Sequence, residues 1–291
     1  MENGEFYNLP TYIISNQHLK LEFLANAGPR LVRLTLPGHE NLFAETPEMS
    51  WKTSYGDFCL YGGHRLWLAP ETNNRTDLPD NDGLIVEPTY GGVKLTGPVD
   101  AFSQIQKSIE IQLRPDRPGL RLIHRVENQG LWNIEIAPWA ITQLRLGGRV
   151  ILPQPGLGEK ENLLPNRSLV MWPYARWTDP RLGLGDRFLT VKGDPDQHAL
   201  KIGYFNSAGW LGCEWEDVLF IKRFNPQPNN PHVDLGCNTE VYVFNRFIEL
   251  ETLGPIQSTK PGQVISHVED WEIYLLGDEG AEELVNHLLG E

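Results

Sequence analysis

The strongest constraint on this chain is a two-residue alternation of apolar and polar side chains that returns almost from end to end. It is clean at Ser108-Ile109-Glu110-Ile111-Gln112-Leu113 and again over residues 120–127. Side chains alternating with period two belong to extended strands, whose successive residues point to opposite faces of a sheet. The intervening Arg114-Pro115-Asp116-Arg117-Pro118-Gly119 is a turn, so the two runs predict a hairpin. Further strands are expected over residues 12–15, 19–24, 31–36, 134–144, 201–204, 218–224, 240–244, 247–253 and 264–276. The 28 glycines and 22 prolines in 291 residues suit a turn-rich sheet protein, because neither residue is well tolerated inside a helix.

Helical spacing is convincing in one place, at Ala281, Leu284, Val285 and Leu288 after Asp278 as N-cap. A short C-terminal helix over residues 278–290 is expected to dock on the sheets as a lid. No linker, low-complexity tract or repeat divides the chain. One all-β domain over residues 1–291, with its core at about 10–276 and two packed antiparallel sheets, accounts for the pattern. Two segments read as long loops: 154–185, with Trp172, Tyr174 and Trp177, and the Pro/Asn-rich 225–231. Loops of this kind on a β scaffold are where binding usually resides.

Charge and motifs exclude several functions. With 25 Lys and Arg against 38 Asp and Glu the formal charge is −13, which argues against a nucleic-acid partner. No apolar run approaches the roughly 18 residues of a membrane span, and the N-terminus lacks a signal-peptide pattern, so a cytoplasmic protein is expected. Cys59, Cys213 and Cys237 have neither CxxC nor zinc-ribbon spacing and read as reduced thiols. There is no GxSxG, P-loop, HExxH or strand-linked GxGxxG. No cofactor or metal is expected; His232, Asp234 and Glu240 are the nearest approach to a metal set, without a defined spacing.

Two clusters carry chemistry. Glu249 and Glu251 flank Leu250, so on a strand both carboxylates share one face, with Glu240 on the preceding strand. Crowded carboxylates raise at least one pKa, which suits acid–base work near neutrality; a solvated face is the plain alternative. The second cluster is Gly62-Gly63-His64-Arg65-Leu66-Trp67, where glycines permit close approach and His64 and Arg65 offer a proton donor and an anion fork. Its alternative is a glycine bulge with a packed histidine. His124, in mid-strand, reads as structural.

Several segments, in order, resemble the galactose-mutarotase-like superfamily, which includes aldose 1-epimerases and hexose-6-phosphate mutarotases. They are Asn26-Ala27-Gly28-Pro29-Arg30-Leu31-Val32-Arg33-Leu34, then Tyr61-Gly62-Gly63-His64-Arg65-Leu66-Trp67-Leu68-Ala69-Pro70. Leu122-Ile123-His124-Arg125-Val126-Glu127-Asn128 and Ala137-Pro138-Trp139-Ala140-Ile141 follow. Ile248-Glu249-Leu250-Glu251-Thr252, Lys260-Pro261-Gly262 and Trp271-Glu272-Ile273-Tyr274 close the series. Order and spacing carry the resemblance, over roughly residues 10–276.

The resemblance implies a β-supersandwich with a sugar-sized cleft, in which a Glu deprotonates the anomeric hydroxyl and a His protonates the ring oxygen. Glu251 matches the base, with Glu249 as fallback on the same face. The family's His falls where this chain has Thr142-Gln143, and threonine is no general acid at neutral pH; either His64 enters the cleft and replaces it, or the usual mutarotation is absent. Arg30, Arg65 and Glu240 are expected to bind substrate, and Trp67, Trp172 and Trp177 to offer platforms for a sugar face. The implied partner is a sugar or sugar derivative, bound by a monomer or weak homodimer. The leading activity is aldose-1-epimerase-like; the alternatives are sugar binding without turnover, and a lyase or hydrolase use of the same cleft with Glu240 or Glu251 as acid.

Overall fold

A computed structural model describes residues 1–72, 75–156, 163–196, 198–277 and 280–289. Among them, two large antiparallel sheets hold nearly all of the regular structure. The first sheet centres on five strands running side by side in the order Gly56–Ala69, Ile134–Leu144, Ile248–Leu253, Thr239–Val243 and Leu200–Tyr204. The second is built around Trp210–Trp215, Val218–Phe224, Val264–Leu275, Gly119–Asn128 and Ile105–Leu113. The hairpin expected from the clearest alternation forms, with Leu120 opposite Leu113. The Gly56–Ala69 strand, by contrast, is not legible as a strand from its run of glycines. At Gly62 and Gly63 φ is 93° and 64°, and a Cβ would lie 2.1 Å from the Ala44 carbonyl oxygen and 1.9 Å from that of Leu31. The two glycines therefore let neighbouring backbone pass closely; the close approach is to protein and not to a ligand.

Between the sheets, inward-facing residues such as Leu66, Leu68, Ile202 and Leu250 pack against Leu122, Phe220 and Trp271. A separate apolar cluster containing Phe58, Trp67, Trp139, Ile141 and Phe247 lies on the opposite face of the first sheet. Strand alternation dictates the split, because Leu66 and Leu68 point inward while Trp67 points out. The C-terminal helix, Ala281–Leu289, packs Ala281 and Val285 on Ile151, Leu219 and Ile221. That is the outer face of the second sheet, so the helix covers a sheet but is no lid over the first sheet's outer face. The expected cap, Asp278, lies outside the described residues. Among the described residues no helix is long and apolar enough to cross a membrane.

The interior also holds a charged and imidazole-rich cluster. Lys222 Nζ lies 2.8 Å from Glu269 Oε1, and both side chains are fully buried. The Lys222 ammonium also donates to the Leu250 carbonyl at 3.0 Å, and Trp271 Nε1 donates to Glu269 Oε2 at 2.8 Å. Three histidines complete it, and their tautomers follow from their partners. His124 Nδ1 faces the His267 carbonyl oxygen at 3.0 Å and must donate. Its Nε2 therefore accepts from His64 Nε2 at 2.8 Å, and His64 Nδ1 accepts from the Thr142 hydroxyl at 2.9 Å. Thr252 donates to Glu269 and accepts from His267 Nε2 at 2.7 Å. Every proton is assigned with all three imidazoles neutral and one Lys–Glu ion pair.

Burial holds His64, His124 and His267 below the ordinary histidine range, His267 down to about 3. At these three positions the unfolded chain binds more protons than the folded one, so their contribution to stability is complete above about pH 6.5 and lost as pH falls below it. NMR titration should find all three imidazoles still neutral at about pH 5.5, and protonation near the ordinary histidine value would contradict the assignment. Glu269→Ala, which strands a buried ammonium, should cost about 3–5 kcal/mol in urea unfolding.

Candidate functional site

The outer face of the first sheet is mapped by its register. Across the strands, Gln143 stands opposite Glu249, Glu249 opposite Tyr242, and Tyr242 opposite Lys201. The next row on the same face runs Arg65, Ile141, Glu251, Glu240 and Gly203. Trp67 and Trp139 begin a third row. Two-residue alternation on five adjacent strands thus gathers three glutamates, an arginine and a lysine on one face. Gly203 leaves room for Glu240, since a Cβ there would sit 3.0 Å from Glu240 Cγ.

Above these rows is a cavity of about 500 Å³, walled by Trp51, Trp67, Trp139, Tyr174, Tyr242 and Phe247 and carrying Arg65, Gln143, Lys201 and Glu249. Aromatic walls with a few convergent polar groups are the usual composition of a small-molecule site. A larger groove of about 680 Å³ contains Glu40, Glu45, Arg145 and Arg246. Its charges are spent on one another or on neighbours, in the pairs Arg145–Glu40, Arg33–Glu45 and Arg246–Glu48, so it offers few free groups to a ligand.

The polar floor is tightly coupled. Arg65 Nη2 and Gln143 Nε2 both donate to Glu249 Oε1 at 2.9 Å. The Arg65 guanidinium also stacks 4.2 Å from the Trp67 ring. Glu251 Oε2 accepts from Trp139 Nε1 at 2.7 Å and Lys201 Nζ at 3.1 Å. Lys201 Nζ lies 2.8 Å from Glu240 as well. Burial raises the pKa of Glu240 and Glu249 against the opposing charges of Lys201 and Arg65 respectively, and the nearby Glu251 pushes both the same way. Several buried atoms keep an unused hydrogen-bonding valence: Arg65 Nε and Nη1, Trp67 Nε1, Gln143 Oε1, and Oε1 of Glu240 and Glu251. A polyhydroxylated ligand offers both donors and acceptors to such a set.

The structure brings some of the expected site residues together and separates others. Glu249, Arg65 and Trp67 line the cavity, while Glu240 and Glu251 lie on the same sheet face but are buried beneath it and do not line it. Trp172 stands beside it, its ring 4.6 Å from Lys201 Nζ. Arg30 does not enter: it is fully buried, bound to Asp80 at 2.9 Å and packed against Phe58. Trp177 is 69% exposed and does not line the cavity. His64 is corrected most sharply, because its neighbour Arg65 faces the cleft and alternation sends His64 into the interior, onto Thr142 and His124. His232 packs on Phe205 and forms no metal-type grouping with Asp234 and Glu240 among the described residues. The one such grouping there is His64, His124 and Glu269, but its facing nitrogens bond each other and Lys222 holds the carboxylate. Lys201 was missed by sequence reasoning; its signal is a lone lysine at the second position of the otherwise uncharged strand Leu200–Tyr204.

With the site in place, comparison with known proteins is informative. No family model and no curated protein matches this chain. Solved structures do match over nearly its full length. The Slr1438 protein from Synechocystis sp. PCC 6803 has a TM-score of 0.59 at 12% identity, covering 94% of this chain and 100% of that one. A galactose mutarotase-like protein from Lactobacillus casei gives 0.55 at 10% identity, with 91% and 100% covered. A galactose mutarotase related enzyme from Lactobacillus acidophilus gives 0.53 at 10% identity, with 92% and 99% covered. The fold is galactose-mutarotase-like. In this mutarotase-like sheet, Arg65→Met should leave Glu249 buried beside Gln143 alone and cost about 3–5 kcal/mol in urea unfolding; an unchanged midpoint would show that the pair is not structurally coupled.

Proposed function

We propose that the cleft binds a free sugar or sugar derivative and interconverts its anomers, with Glu251 as the base. The observation that carries the reading is the setting of the Glu251 carboxylate. One oxygen is fixed by Trp139 and Lys201 while the other is unspent, and the aromatic-walled cavity lies on the same sheet face. A carboxylate with one unspent oxygen, held by two side chains that themselves line the cavity, is suited to abstraction of an anomeric hydroxyl proton. Trp67 and Trp139 supply apolar surface for the C–H face of the ring, and Arg65, Gln143 and Glu249 supply donors and acceptors for its hydroxyls. Glu249, paired with Arg65, is the positioning carboxylate in this scheme.

A second reading, recognition without turnover, has its own support. Glu251 is fully buried beneath Lys201 and Trp139. At the Thr142-Gln143 step the cleft receives Gln143, which has no proton to give at neutral pH, while Thr142 faces inward to His64. The experiment that separates the two is anomer exchange measured by NMR on a panel of aldoses and uronic acids, with sugar binding followed calorimetrically. Catalysis predicts exchange above the spontaneous rate that falls about 10²–10⁴-fold in Glu251→Gln. Exchange surviving that substitution would remove Glu251 as base. Saturable binding without exchange would select the second reading.

A further inference from the structure

The cleft holds an ammonium group in a place the sequence pattern did not mark. Lys201 sits on Leu200–Tyr204, its side chain 6% exposed, and it lines the cavity. Its ammonium is bracketed by two indole rings, 4.7 Å from Trp139 and 4.6 Å from Trp172. Glu240 and Glu251 stand 2.8 and 3.1 Å away. Two carboxylates and two π faces fix one nitrogen directly beside the proposed base. An ammonium has three N–H bonds, so two bridging contacts leave one for a ligand. Among the described residues the other cation lining the cavity is Arg65, and a guanidinium does not release its proton at neutral pH. Among the described residues no histidine lines the cavity.

We propose that Lys201 is the proton donor of the anomer exchange, working as a pair with Glu251. The inference rests on the catalytic reading of the cleft. In the opening step the O1–H bond breaks and its proton passes to Glu251. The electrons left on O1 form the C1=O1 double bond as C1–O5 breaks, and O5 takes a proton from Lys201 Nζ. The aldehyde then turns about C1–C2. Reclosure runs the same transfers in reverse on the other face of C1, returning a proton to Lys201 and leaving Glu251 ionised. No other reactant is consumed.

The surroundings decide the pH response. Burial alone would lower the Lys201 pKa, but the charges of Glu251, Glu240 and Glu249 outweigh it and hold the ammonium well above its ordinary range. Glu71, after Gly56–Ala69, also faces this ammonium and is held above the ordinary carboxyl range, chiefly by burial. Glu240 and Glu249 lie above it too. Tyr174 and Tyr242 are raised by burial, Tyr242 to about 12, and Cys237, also in the field of Lys201, is raised by burial. The donor therefore stays charged into the alkaline range, where a histidine donor would already have lost its proton above about pH 6.5.

The test uses NMR anomer exchange on the full chain. Lys201→Ala is expected to lose about 10²–10⁴-fold, and added methylammonium, which fits the vacated indole bracket, to restore part of it. Tetramethylammonium carries the same charge with no N–H and should restore none. Lys201→Arg keeps the charge at the ion pairs but cannot deliver a proton, so it should also lose exchange; it decides the matter if the alanine variant does not fold. Wild-type exchange should not decline between about pH 7 and 9. Unchanged exchange in Lys201→Arg, equal rescue by tetramethylammonium, or a decline across that alkaline interval would overturn the proposal while leaving Glu251 as base. A wild-type chain with no exchange on any aldose would overturn the catalytic reading and this inference together.

Discussion

Everything at the site depends on two-residue alternation being enforced on strands buried from both sides. Arg65 and His64 are neighbours in sequence, yet one stands in the cleft and the other among interior imidazoles. Leu250 anchors the sheet inward while Glu249 and Glu251 are delivered outward. A slip of one residue in any central strand would carry charges into the apolar core. The pairing register is therefore fixed by hydrophobic burial, and the cleft inherits its geometry from that.

Once delivered, the charged groups hold one another. Two cations, Arg65 and Lys201, stand among three glutamates in a largely desolvated setting. An isolated buried charge would be costly, and these persist because each ion has a partner and several have further hydrogen bonds. The interior Lys222–Glu269 cluster obeys the same rule, but its valences are filled by histidines, threonines and indole. The two clusters differ in that the cleft keeps unspent donors and acceptors beside a cavity. That difference is why the cleft, and not the support between the sheets, is the candidate ligand site.

The alternating runs announced the sandwich, and the ordered segments from Asn26 to Tyr274 announced its fold; both are borne out by the two antiparallel sheets and by the mutarotase-like structures that match. The shared face of Glu249 and Glu251 was readable because period two is a local property. What escaped is non-local. Whether His64 faced the cleft depended on the phase of a strand disguised by Gly62 and Gly63, and Arg30 was drawn away by Asp80, fifty residues distant. Lys201 acquires meaning only from Trp139, Trp172, Glu240 and Glu251, which lie on other strands and a loop. Single residues of that kind carry no signature until pairing brings their partners together.

The most direct test of the account is a structure of this chain with an aldose bound. The sugar ring is expected against the indoles of Trp67 and Trp139, with its anomeric oxygen within hydrogen-bonding distance of Glu251 and its ring oxygen beside Lys201. A sugar seated instead in the groove of Arg145 and Arg246, or in the cleft with Glu251 and Lys201 still closed on each other and out of reach, would contradict it.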